Sequence, residues 1–179
     1  MKGALAVAED LDETLARAQA GDSAAFANLV RHHQAMVFSL ALHSLRSRPA
    51  AEDVAQDVFV ELYRSLPRLE SAAHAAGWLR RVTCHRCIDE LRRPRCHFEL
   101  ATGTLPDRAE PPASPEPFLE ARLRELVAGL PPLPRMVVIL RYQEELEPSD
   151  IADALKMSIN TVKSHLRRSI DTLRKGLTS

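Results

Sequence analysis

The sequence predicts an all-α protein of two small helical domains, and three observations carry that prediction. Apolar residues recur every three or four positions through most of the chain. Six prolines crowd into 94–117, where no helical or strand period runs. Aromatic residues make up only 4% and glycines number six, which points away from a β sandwich. The expected division is a first domain at 1–94, a flexible Pro-rich linker at 95–117 and a second domain at 118–179.

Taken in order, Leu11, Leu15 and Ala18 share one side of a short first helix that Gly21 ends, and Asp22 or Ser23 can cap a longer second one. Phe26, Leu29, Val30, His33, Val37, Leu40 and Ala41 give that second helix a broad buried face. His33 lies within it, and a packed, hydrogen-bonded core histidine is the expectation. Pro49 opens the next helix and Pro67 stops it. Its buried side is Val54, Val58, Phe59, Leu62 and Leu66, while Asp53, Asp57 and Glu61 recur every four residues on the other. Like charges so spaced repel mildly, so the stripe, with Gln56 beside it, is either a solvated face or a docking surface for a basic partner.

Residues 70–77 read as a loop of small residues, followed by a long helix from Trp78 to about Arg93 that Pro94 terminates. Thr83, Cys84, Cys87, Ile88 and Leu91 project to its core side, and Trp78, Arg81, His85, Asp89 and Arg92 to the other. An exposed Trp beside Arg and His suits the stacking and phosphate contacts of single-stranded nucleic-acid binders. A partial core anchor is the plainer reading of a lone Trp.

Helical order resumes at Phe118, where Leu119, Leu123, Leu126, Val127 and Leu130 form a stripe. Residues 149–177 read as a helix-turn-helix, and 136–142 is expected to pack beneath it. Pro148 suits a first helical position, Ile151, Ala152 and Leu155 make a short apolar stripe, and Ser158 can cap a second helix. Ile159, Val162, Leu166, Ile170, Leu173 and Leu177 give that second helix its period. Its opposite face gathers Asn160, Lys163, Ser164, Arg167 and Arg168, the donors that a major-groove reading helix needs. The alternative is a solvated face on an ordinary helical hairpin.

Charge supports two separate contacts with polyanion. The chain balances 24 basic against 24 acidic residues, yet 80–95 carries six basic and two acidic side chains and 1–79 seven and ten. The short apolar run near the amino terminus is too brief for a secretory signal, and no stretch approaches a membrane span, so a cytoplasmic protein without membrane insertion is expected. Three cysteines argue against a disulfide framework. Cys84, Cys87, Cys96 and His97 have the ligand types of a zinc site, but the first two fall on the apolar side of their helix, where cysteine is commonly a packing residue. No metal or other cofactor is expected. The chain has no Gly-rich phosphate loop and no nucleophile motif, which leaves an enzyme as the least supported class.

Three segments together resemble a known family. Residues 51–64 (AEDVAQDVFVELYR), 77–93 (GWLRRVTCHRCIDELRR) and 130–173 (LPPLPRMVVILRYQEELEPSDIADALKMSINTVKSHLRRSIDTL) look like regions two and four of the extracytoplasmic-function sigma factors of bacterial RNA polymerase. The resemblance implies a promoter-specificity subunit that joins core polymerase and reads minus-thirty-five and minus-ten DNA. Asp53, Gln56, Asp57 and Glu61 would meet the β′ clamp helices. Trp78, Arg81, His85, Arg92 and Arg93 would capture the opened minus-ten strand, and 70–77 would help to hold a flipped base. Asn160, Thr161, Lys163, Ser164, Arg167 and Arg168 would read the minus-thirty-five element, and 130–146 would sit on the β-flap. The resemblance also implies an anti-sigma partner.

Three places depart from the family pattern. Cys84-His85 stands where many relatives have Arg-Asn, Lys156 where they usually have the Gly of a left-handed helix end, and Glu147-Pro148 is unusual before that helix. A stand-alone helix-turn-helix regulator would explain 149–177 equally well, but neither the second basic helix nor the acidic stripe. A metal- or redox-sensing interaction protein is the third reading.

Overall fold

A computed structural model describes residues 2–93 and 115–178, with side chains from 10 to 93 and from 119 to 178. The described residues form eight α-helices and a short 3-10 turn, with no strand among them. They are α1 (Lys2–Gln19), α2 (Ser23–Leu45), α3 (Arg48–Ser65), α4 (Ala72–Arg92), α5 (Pro115–Ala128), α6 (Pro132–Tyr142), α7 (Pro148–Leu155) and α8 (Ile159–Thr178); the turn is Leu66–Arg68.

Local chemistry fixes each helix start in the first half. Gly21 takes φ 93, closing α1, and Asp22 then accepts from the backbone N–H groups of Ala24 and Ala25 to cap α2. Arg17 holds that carboxylate at 2.6 Å. Ser47 caps α3 with Pro49 in its first turn. Gln19 of α1 donates through Nε2 to the carbonyls of Leu66 and Leu69 at 2.8 and 2.7 Å, fastening α1 to the turn after α3. Leu29, Leu40, Leu45, Leu62 and Leu79 are among the largest fully buried side chains, and they fill the space between α2, α3 and α4.

The described helices correct several expectations. The first helix begins at Lys2. The small residues at 72–77 are the first turns of α4, not a loop: Ser71 accepts from the His74 N–H, Asp12 accepts from the Ala72 N–H at 2.6 Å, and four alanines supply the best helix propensity. Gly77 is not required by packing there, since no neighbour approaches its Cβ position. Helical order resumes at Pro115, ahead of Phe118. Leu119, Leu123, Ile159 and Leu177 are exposed, so the stripes of α5 and α8 are narrower than their periods suggested.

In the second half, Pro148 and Pro132 each sit in the first turn of their helix, and α6 packs against both α7 and α8. Lys156 ends α7 at φ 55, ψ 45, in the left-handed region, and its N–H reaches the Ala152 carbonyl. Ser158 then accepts from the Thr161 N–H at 3.1 Å to start α8. The two halves are not separate bodies. Met136, Val137, Ile139 and Leu140 of α6 and Ile151 and Leu155 of α7 belong to the same buried cluster as α2 and α4. Arg135 donates through Nη1 to the Ser44 carbonyl at the end of α2 and through Nη2 to the Ala128 and Leu130 carbonyls.

Candidate nucleic-acid interface

The reading face of α8 assembles as its period predicts. Val162 is fully buried against α7 and α6, which turns Asn160, Thr161, Lys163, Ser164, Arg167 and Arg168 to solvent. Lys163, Ser164, Arg167 and Arg168 line one shallow groove of about 280 Å³. Three cations and a hydroxyl on successive turns form a donor array matched to phosphates and to guanine edges.

On α4, Cys84 and Cys87 have no exposure, and Thr83, Ile88 and Leu91 are buried beside them. His85, Arg92 and Arg93 are exposed on the remaining face, while Arg81 is partly covered. Arg92 pairs with Asp89 at 3.7 Å and Arg93 with Glu90 at 2.7 Å, both within the helix. Trp78 is a correction: it is half-buried and packs against the core, so only part of its ring is free for stacking. Arg80, which the wheel assigned to neither face, turns inward. Its Nε is buried without a hydrogen-bond partner, beside His33.

His33 is buried as expected, yet its Nε2 has no partner either, contrary to the expectation of a hydrogen-bonded ring. Loss of hydration, with the His32 and Arg80 charges nearby, lowers its pKa to about 4. The ring therefore stays neutral at ordinary pH.

The acidic ladder of α3 projects as predicted, with Asp53, Gln56 and Asp57 exposed and Glu61 partly covered. Sequence reasoning missed that Arg86 of α4 lies across it. The guanidinium is 2.8 Å from Glu61 and 3.7 Å from Asp57, which relieves part of the ladder's self-repulsion. Val60 and Tyr63, 51% and 63% exposed, flank the same ridge, and Tyr63 meets Phe26 edge to face.

Cys84 and Cys87 are free thiols, and burial raises both thiol pKa values, that of Cys87 to about 12. Among the described residues no group of His, Cys, Asp or Glu could hold a metal. Cys96 and His97 lie outside the described residues.

Family models match the chain in two places. Sigma-70 region 2 covers 29–95 and Sigma-70 region 4 covers 120–173, in the order and position of the two halves of the fold. The chain belongs to the extracytoplasmic-function sigma factors. It is 28% identical to the ECF RNA polymerase sigma factor SigW of Bacillus subtilis, over 88% of this chain and 91% of that one. Two solved structures share the fold. CnrH, solved with the cytosolic domain of CnrY, superposes with a TM-score of 0.67 at 22% identity, over 94% of this chain and 97% of that one. RpoE, solved with the anti-sigma factor NepR from Bartonella quintana, gives 0.65 at 19%, over 86% and 96%. This sigma factor is thus an alternative specificity subunit: it joins core RNA polymerase and directs transcription initiation at promoter DNA. None of its described helices is long and apolar enough to cross a membrane.

Proposed function

We propose that the sigma factor divides its work among three surfaces, on α8, α4 and α3. Residues 118–179 grip the minus-thirty-five duplex through Asn160, Thr161, Lys163, Ser164, Arg167 and Arg168. Residues 1–94 hold the opened minus-ten strand through Trp78, Arg81, His85, Arg92 and Arg93. Asp53, Gln56, Asp57 and Glu61 fasten that domain to the β′ clamp helices, and 95–117 tethers the halves.

The observation that carries this reading is the pair of cationic faces on different helices, α8 and α4, in a chain of zero formal net charge. The exposed row on α8 meets paired DNA, where a helix fits the major groove. The α4 face offers a part of an indole ring, an imidazole and three guanidiniums to a strand whose bases have left the stack. Binding that strand offsets an unstacking cost of a few kcal/mol, so capture favours melting without a chemical step. On this reading the chain is a non-enzymatic, cytoplasmic factor without a cofactor of its own, and core polymerase supplies the chemistry.

An anti-sigma factor is the expected regulator. Its support is the RpoE relative, solved with one, together with the free apolar face of α5 at Leu119 and Leu123. Footprinting of holoenzyme on a mapped promoter tests the assignment. Arg167→Ala should lose upstream protection with melting downstream intact once polymerase is bound, and Trp78→Ala should lose permanganate-reactive thymines with upstream protection intact. Swapped outcomes would refute it.

A further inference from the structure

The corner between α3 and α4 joins the ridge assigned to polymerase docking to the face assigned to strand capture, and it is built on α1. Gln19 donates through Nε2 to the Leu66 and Leu69 carbonyls at 2.8 and 2.7 Å, and Asp12 accepts the Ala72 N–H at 2.6 Å. These bonds reach across 47, 50 and 60 residues of sequence, and they cover the corner from the end of α3 to the first turn of α4. Asp12 and Gln19 stand two turns apart on α1, so they project to the same side of it, with Leu15 and Ala18 buried between them.

Packing alone holds this corner loosely. The buried side chains in the first turn of α4 are Ala72 and Ala75, which offer a single methyl group each to their neighbours. From Leu79 onward larger groups anchor the helix, at Cys84, Cys87, Ile88 and Leu91. Trp78 sits at the border of the two stretches, about 9 Å along the axis from Ala72. Arg92 is about 30 Å from Ala72, so a tilt of about 10° displaces one end against the other by about 5 Å, more than a hydrogen bond tolerates.

The side chains of Asp12 and Gln19 keep an exposed outer side. Water replaces a lost partner there at little cost, so these bonds act on direction more than on folding stability.

We propose that Asp12 and Gln19 are positioning residues for promoter melting: they fix the α3–α4 corner in advance, so that docking of α3 on polymerase presents Trp78 and Arg81 at a set angle to the opening strand. Neither residue touches DNA or polymerase in this role. The proposal rests on the assignment of α3 to docking and of α4 to strand capture. A corner held beforehand removes an ordering cost from strand binding, whereas a free corner leaves docking unchanged and slows melting.

The test uses holoenzyme assembled from the full chain on a mapped promoter. It reads core affinity, upstream protection and the rate at which minus-ten thymines become reactive to permanganate. Gln19→Ala and Asp12→Ala should each slow melting roughly tenfold, with core affinity and upstream protection within about twofold of the parent. Asp12→Asn keeps an acceptor oxygen for the Ala72 N–H and should melt DNA at the parent rate. Gln19→Glu sets a carboxylate against two carbonyls and should be slower than Gln19→Ala. Leu11→Ala weakens the packing of α1 without touching either bond, and it should melt DNA like the parent.

Parental melting rates in Gln19→Ala and Asp12→Ala would overturn the proposal. So would a fall in core affinity that matches the fall in melting, or Leu11→Ala as slow as Gln19→Ala, since either would reduce α1 to general support. A Trp78→Ala chain separates the two layers. If it melts DNA as fast as its parent, the reading of α4 fails and the proposal with it. If it loses melting while Gln19→Ala and Asp12→Ala keep it, the reading of α4 survives and positioning by α1 is overturned.

Discussion

Arg86 of α4 donates to the Glu61 carboxylate of α3 at 2.8 Å, placing a cation on the ridge that is assigned to polymerase docking. The bond is exposed on both sides, so its contribution to folding is at most about 1 kcal/mol. Its larger effect is on the field of the ridge. Arg86→Ala leaves Asp57 and Glu61 uncompensated and should speed association with core polymerase a few-fold at low salt, with the difference gone at high ionic strength. Stopped-flow mixing with labelled core across a salt series checks this; slower association at low salt would show that Arg86 itself contacts polymerase.

Arg167 lies mid-way along the exposed row of α8. If its guanidinium reads a base, Arg167→Ala should weaken binding of holoenzyme to its own upstream element by about 1 to 3 kcal/mol. The loss should be much smaller on scrambled upstream DNA. An equal loss on both sequences, measured by competition, would reduce its role to phosphate contact.

Lys156 occupies a left-handed backbone position at φ 55, ψ 45 between α7 and α8. A side chain there costs about 1 to 2 kcal/mol, part of which glycine returns as entropy of the unfolded chain. Lys156→Gly should therefore raise stability by roughly 0.5 to 1 kcal/mol. Urea unfolding at constant m-value checks the sign; a loss would mean that the Lys156 ammonium stabilises the turn by more than the backbone strain.

His33 has a folded pKa lowered to about 4 against an unfolded value of 6.5, so the unfolded chain binds its proton first as pH falls. The stability that this ring contributes is fully present above pH 6.5 and is lost as pH drops through about 4. Allowing for solvent screening, the loss is about 1 to 2 kcal/mol. Asp22 adds a separate fall at lower pH, because Arg17 and the backbone N–H groups of α2 hold its carboxyl below the usual range. Unfolding series on the parent and His33→Leu should share the lower limb and differ between pH 6.5 and about 4. Coincident curves over that window would contradict the assignment.

The legible parts of this molecule were those written in short-range chemistry. The period of α3 and α8, the caps at Asp22 and Ser158, the prolines in the first turns of α3 and α7, and the left-handed Lys156 depend on neighbours a few residues away. The misread stretch at 72–77 fails on the same ground: a run of small residues with one Gly suggests a loop until Ser71 is recognised as its cap. What remained hidden is tertiary. Arg86 reaches α3, and Arg135 reaches the end of α2, across 25 and 91 residues of sequence respectively. The all-round burial of α6 comes from a second layer of neighbours that no helical wheel contains. Even the half-burial of Trp78 is set by the helices that happen to flank it, and not by the sequence around it.

The most direct measurement mixes this chain with core RNA polymerase on genomic DNA and maps the 5′ ends of the transcripts. The account predicts stable holoenzyme and starts confined to a small set of sites sharing two upstream motifs. Arg167→Ala should erase selection at the farther motif and Trp78→Ala at the nearer. Failure to join core, or starts no more selective than those of core alone, would contradict it.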